Sequence, residues 1–188
     1  MIELYDRYSQ ESRDLHESLV ATGLSQLGVV IDADGFLPDG LTSPFTYYLG
    51  YEKGKPLYFN QVPVPAFWEI SGNNQSSRIE DRTEERALIH YADGMQARLV
   101  KQVDWKDLEG RVRQVDHYNR FGTCFATTTY SADSEPIMTV YQDVNGQEVL
   151  LENHVTGDIL LTLPGQPMHY FANKVEFIIF FLQDLEID

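Results

Sequence analysis

Five histidines, 29 Asp and Glu side chains and one cysteine are the groups through which this 188-residue chain could transfer protons, bind metal or attack an electrophile. His16, His90, His117, His154 and His169 are scattered, with no i, i+4 pair and no HExxH, so a helical zinc motif is excluded. Cys124 has no second cysteine to bridge to and no clustered histidine to share a metal with, and reads as a reduced, structural thiol. Carboxylates as close as Glu84 and Glu85 arise freely in so acidic a chain and mark a solvated face more often than a general acid and base. GxSxG, P-loop and GxGxxG patterns are absent, and no glycine follows Tyr5 before Gly23, so there is no dinucleotide fingerprint. Neither a metal nor a nucleotide cofactor is expected.

The densest unusual string runs from Asp116 to Gly122, followed by the alternating Phe125 to Tyr130. Its hydrogen-bonding and aromatic groups suit docking of an extended polypeptide or a sugar. Trp68, Tyr118, Asn119, Arg120 and Phe121 are therefore the candidate contacts to a protein partner or acceptor chain. The competing expectation is that Tyr118, Phe121 and Phe125 pack the sheet while Arg120 pairs with a carboxylate.

These residues need elements to hold them. Ile2 to Tyr5, Ser9 to Thr22 and Leu27 to Asp32 read as strand, amphipathic helix and strand, with Ser9 as N-cap, Leu15 and Leu19 on one helical face and Gly23 as terminator. From Phe36 the texture changes to short runs broken by turn residues at hairpin spacing: Lys53-Gly54, Gly72-Asn73, Asp93-Gly94, Lys106 to Gly110, Asn145-Gly146, Thr156 to Asp158 and Pro164-Gly165. Strands are expected at Leu57 to Asn60, Phe67 to Ser71, Ala87 to Tyr91, Arg98 to Trp105, Val112 to Tyr118, Phe125 to Tyr130, Ile137 to Gln142, Gln147 to Leu151 and Ile159 to Leu163, in one antiparallel meander. Asn145-Gly146 predicts a type I′ turn. Asn173 with Glu176 forms a capping-box pattern ahead of a helix to Leu185 that is apolar nearly all round. One sheet cannot cover such a helix, which suggests that further chain or a partner does.

The fold class is thus α+β and β-rich: an opening βαβ unit over 1–35, an extended β-sheet over 36–171 and a terminal helix over 172–188. Fourteen Lys and Arg against the 29 carboxylates leave a net charge of −15, which opposes nucleic acid and anionic lipid. The N-terminus lacks the apolar core of a signal peptide, and no run is long enough to span a bilayer. The expectation is a cytoplasmic protein.

Four strings carry a wider resemblance: LYFNQVPVPAFWEISG, VDWKDLEGRVRQVDHYNRFG, GQEVLLENHVTGDILL and NKVEFIIFFLQDL. They resemble the N-terminal region of the glycosyltransferase-stabilising subunit of the accessory Sec system, the non-catalytic partner of the O-GlcNAc transferase for serine-rich repeat adhesins of Gram-positive bacteria. The resemblance implies a GT-B-like protein of two Rossmann-like domains, with the β-sheet inserted early in the first and this chain as its N-terminal portion. It further implies two partners, the catalytic O-GlcNAc transferase subunit and the serine-rich repeat adhesin polypeptide, and attachment at the inner face of the cell membrane only through partners. No catalytic residue is carried over. The alternatives are a carbohydrate-binding β domain and an active glycosyltransferase; self-association through the apolar helix is a further expectation.

Overall fold

The computed structural model describes residues 2–24, 27–92 and 97–185; the turn expected at Asp93-Gly94 lies outside them. β1 (Ile2–Tyr5), α1 (Gln10–Ala21) and β2 (Leu27–Val30) form the expected parallel βαβ unit. Ser9 caps α1 by accepting from the Ser12 N–H, and its own N–H donates to the Ser12 hydroxyl. The inward face of α1 is centred on His16 rather than on Leu15. Leu15 is 53% exposed, and His16 is the buried side chain, with Nδ1 3.2 Å from the Glu3 carboxylate and its ring edge-on to Tyr5. A carboxylate on the sheet calls for a hydrogen-bonding partner that leucine lacks. Gly28 makes room for it, since a Cβ there would sit 2.5 Å from Leu41 and 3.1 Å from His16. β3 (Leu41–Thr42) adds a third parallel strand, and α2 (Pro44–Tyr47) follows, capped by Ser43. Two residues and one helical turn are too short to leave a periodic signal.

The rest is one ten-stranded antiparallel meander in strict chain order. Its strands are β4 (Glu69–Gly72), β5 (Ser76–Asp81), β6 (Glu84–Tyr91), β7 (Val100–Lys106), β8 (Val112–Tyr118), β9 (Cys124–Tyr130), β10 (Pro136–Gln142), β11 (Glu148–Asn153), β12 (Ile159–Leu161) and β13 (His169–Phe171). The expected strand at Leu57 to Asn60 is instead a strap: it touches the sheet through one bridge, Tyr58 to Leu99, and coils into a 3-10 turn at Phe59–Gln61. Pro56, Pro63 and Pro65 deny this segment the N–H groups a ladder needs. β5 and β13 were not anticipated. The turn at Asn145-Gly146 is also not type I′, because only Gly146 has positive φ, at 75°. It is a type I turn closed by Gly146 N–H to the Asp143 carbonyl, with a left-handed glycine matching the strand twist.

The register sorts side chains to two faces, and the sheet has a core on each. Ile79, Ala87, Ile89 and Val103 line one face of β5–β7 beneath the strap, which contributes Leu57, Phe59, Val62 and Val64. Ala126, Tyr141, Leu150, Leu161 and Phe171 line the other face of β9–β13. There the cover is α2 and α3 (Lys174–Leu185), joined by ring contacts of Phe45 with Phe177 at 5.2 Å and Tyr47 with Phe181 at 5.3 Å. Asn173 caps α3 as expected, accepting from the Glu176 N–H, but the returning Glu176 carboxylate takes the Ala172 N–H. Phe177 and Phe181 are fully buried, so they are core; the helix exposes Val175 and Ile179 instead. Among the described residues no helix is long and apolar enough to cross a membrane.

Candidate functional site

A groove opens where the C-terminal ends of β1 and β2 meet the sheet, the position at which parallel α/β units present their ligand-binding loops. Three adjoining cavities make it up, sharing walls. The first, about 640 Å³, lies between the start of α1 and Lys101; the second, about 270 Å³, passes Arg7, Asp32 and His117; the third, about 430 Å³, ends at Tyr130, Glu152, His154 and Lys174. Tyr8, Asp34 and Lys101 join the first to the second, and Asp32, Ala33, His117 and Phe125 join the second to the third. The groove is held by contacts between its two banks. Lys101 Nζ reaches the Asp34 carboxylate at 3.1 Å, and Arg120 N–H donates to the Gly35 carbonyl at 2.8 Å. Gly35 is required for that approach, because a Cβ would stand 2.5 Å from the Tyr118 carbonyl oxygen.

The floor of the third cavity carries a hydrogen-bonded chain across neighbouring strands. His117 Nε2 lies 2.9 Å from Thr128 Oγ1, which lies 2.8 Å from Thr139 Oγ1, itself 2.7 Å from His154 Nε2. Both threonines are buried, and each finds its partners within this chain. Burial pushes the His117 imidazole below its ordinary value, with Lys101 adding to the fall and Asp104 and Asp116 opposing it. Farther along the same face, the Asp104 hydrogen bond at 2.8 Å raises His90. Burial pushes the Asp104 carboxyl up, but the hydrogen bonds from His90 and Gln102 outweigh it and leave Asp104 below the usual range. Among the described residues no three metal-ligating side chains converge.

The residues singled out from the sequence take different places. Tyr118 is buried in the core cluster against which Trp68 also packs. Asn119 is 4% exposed, and its Oδ1 accepts the N–H groups of Phe121 and Thr123 at 3.0 and 3.1 Å, so it builds the β8–β9 turn. Arg120 pairs with Asp39 at 2.6 Å and lies 5.1 Å from the Phe121 ring centroid; it lines the groove's first cavity, and with Phe121 a separate cavity of about 300 Å³ beside Tyr47 and Tyr51. Of the five, Arg120 and Phe121 face open space together. The groove residues Tyr8, Lys101 and Glu152 carried no signal in the sequence, since they come from separate elements that only the fold unites, whereas His117 and Tyr130 lie in the string singled out there. Cys124 is mostly buried, which drives its thiol up to about 11 and keeps it protonated.

Comparison with known proteins agrees with this architecture. A family model described as the GtfB N-terminal domain matches residues 2–48, and one described as the GtfB middle domain matches residues 68–172. The UDP-N-acetylglucosamine--peptide N-acetylglucosaminyltransferase stabilizing protein GtfB of Streptococcus pneumoniae serotype 4 is 90% identical over the full chain, and that of Streptococcus gordonii is 53% identical. The chain spans 42% of the length of each of these relatives. A chain in a crystal structure of a GtfA/B complex bound to UDP and GlcNAc superposes with a TM-score of 0.95 at 53% identity, over 99% of this chain and 42% of that one. The pneumococcal O-GlcNAc transferase GtfA shares the fold over 98% of this chain and 41% of its own, with a TM-score of 0.65 at 12% identity.

Proposed function

Because the chain belongs to the GtfB family, we propose that it serves a protein-glycosylating complex as a non-catalytic part: it stabilises a catalytic O-GlcNAc transferase and helps hold the Ser/Thr-rich polypeptide to be modified. The curated relatives are named as stabilising proteins of a peptide N-acetylglucosaminyltransferase, which supports the first half. The groove supports the second. An extended Ser/Thr-rich chain offers hydroxyls and backbone amides rather than charge or apolar bulk. A long cleft lined by Tyr8, Lys101, His117, Tyr130 and Glu152 meets it with donors and acceptors along its length. The charge of −15 turns away nucleic acid and anionic lipid and leaves a neutral polypeptide admissible. In this reading the complex works in the cytoplasm on a serine-rich repeat adhesin before accessory Sec export, and any membrane attachment comes through partners.

The test is titration calorimetry with an unglycosylated serine-rich repeat peptide against the chain in complex with the transferase. Tyr130→Ala and Lys101→Ala are each expected to weaken binding by about 1–2 kcal/mol if these side chains are principal contacts. Unchanged peptide affinity in both variants removes the groove as the acceptor site.

A further inference from the structure

The edge of the sheet at β4 breaks two rules of local structure within three residues. Pro63, Pro65, Ala66 and Phe67 are all exposed. The Pro65–Trp68 turn closes with the Trp68 N–H on the Pro65 carbonyl at 3.2 Å, and this sets Phe67 at a φ of 73°, a conformation suited to glycine or asparagine. The neighbouring Trp68 takes the inward place, packing against the core under the strap with the Arg86 guanidinium 5.9 Å from its ring centroid. Phe67 is left 98% exposed. The fold thus holds a large apolar ring in a strained backbone position and recovers nothing from burying it. Directly beside it, Glu69 and Glu80 stand opposite one another across β4 and β5, a like-charge pairing that opposes the sheet. Among the described residues neither carboxylate has an ion pair, and Glu80 accepts only the Ser71 hydroxyl, at 3.2 Å.

We propose that this turn is a docking anchor: the Phe67 ring enters an apolar socket on a protein partner, and basic side chains at the socket's rim neutralise Glu69 and Glu80. A solvent-exposed aromatic on a proline-stiffened turn loses little freedom on binding, which makes it an efficient anchor. The two unneutralised carboxylates and the overall charge select a basic protein surface over a lipid or a nucleic acid. Resting on the function proposed above, the partner is the catalytic transferase.

The experiment measures affinity of the purified catalytic O-GlcNAc transferase for the chain by surface plasmon resonance, alongside melting temperature. Phe67→Asn is expected to leave the melting temperature unchanged or raise it, because asparagine tolerates the left-handed backbone, while weakening binding about ten- to hundred-fold. Phe67→Leu, which keeps an apolar side chain, is expected to lose less. Glu69→Lys combined with Glu80→Lys is expected to slow association and flatten its salt dependence. Full affinity in Phe67→Asn overturns the proposal, as does a large fall in its melting temperature, which would make the ring a packing group. If the unmodified chain does not bind the transferase, the function proposed above falls, and this partner falls with it.

Discussion

From β5 to β7 the sheet buries the face carrying Ile79, Ala87, Ile89 and Val103 under the strap, whereas from β9 to β13 it buries the opposite face under α2 and α3. The cover changes sides at β8 to β10. There neither face is wholly dry, and the sequence turns polar on both. On one face Asp116 receives hydrogen bonds from Trp105, Gln114 and Thr127; on the other runs the chain from His117 through Thr128 and Thr139 to His154. A half-covered strand cannot hold the sheet by apolar burial, so side-chain hydrogen bonds tie neighbouring strands in its place. The groove lies over this crossover because that is where the sheet offers polar groups without a lid of its own.

If the two cores are independent, breaking one should leave the other's contribution intact. Phe181→Ala, in the helix-covered half, is expected to cost about 3–5 kcal/mol, and Ile89→Ala, under the strap, about 2–5 kcal/mol, both side chains being fully buried. Their effects in the double variant should add to within about 0.5 kcal/mol in urea denaturation. A coupling well beyond that would mean that the ten strands form one core through the crossover.

The turns sharpen the same contrast. Asp107, Asn119, Ser131 and Asp143 recur at intervals of twelve residues, and each heads a five-residue turn whose fourth member, Gly110, Gly122, Ser134 or Gly146, has positive φ. Each head's side chain accepts two backbone N–H groups of its own turn. The Asn119 turn is wedged against the opening βαβ unit through Arg120 N–H on the Gly35 carbonyl, and of the four heads Asn119 alone is buried. Asn119→Ala should therefore cost about 1–3 kcal/mol, since it removes a buried side chain and with it the acceptor of the Phe121 and Thr123 N–H groups, while Ser131→Ala should stay within about 0.5 kcal/mol because water replaces the hydroxyl. Equal losses by calorimetric melting would show that the turn repeat, rather than burial, sets the cost.

That repeat also marks how far the sequence was legible. The meander, the βαβ opening and both long helices follow from turn residues, caps and apolar runs, which are local signals. β5 escaped notice because its inward face shows only Ser77 and Ile79, and its outward Arg78 and Glu80 read as loop. The strap read as strand because Leu57 to Asn60 is apolar and aromatic, while the prolines that exclude it from the ladder, Pro56, Pro63 and Pro65, flank it on both sides. Trp68 stood out as a contact by residue type, yet the choice between Trp68 inward and Phe67 outward depends on one backbone angle. The groove was legible only in part: His117 and Tyr130 lie in the string from Asp116 to Tyr130, but Tyr8, Lys101 and Glu152 are far apart in the chain and join it only once the loops after β1 and β2 dock on the sheet.

The smallest expected effect probes the polar groups that lead from the strap-covered strands into the crossover. His90 and His117 both pair in register with Gln102 on one face of the sheet, yet they are pushed in opposite directions. A free imidazole titrates near 6.5. His90, raised mainly by its hydrogen bond to Asp104, contributes stability that is fully present below about 6.5 and is lost as pH rises through its folded value. His117, lowered by burial, acts with the opposite sign: its contribution is present above about 6.5 and is lost as pH falls through its folded value. Together they place a stability maximum near pH 6.5, with a loss on either side. Asp104→Asn removes the group that raises His90 and that also opposes the fall of His117, so both imidazoles should then titrate lower. The loss on the alkaline side should then disappear, and the variant should lose stability on acidification alone. Carbon-13 NMR titration of the ring carbons reads both values directly. Finding His90 below His117 in the unsubstituted chain, or a downward shift of only one of them in Asp104→Asn, would show that the two histidines do not share the field of Asp104.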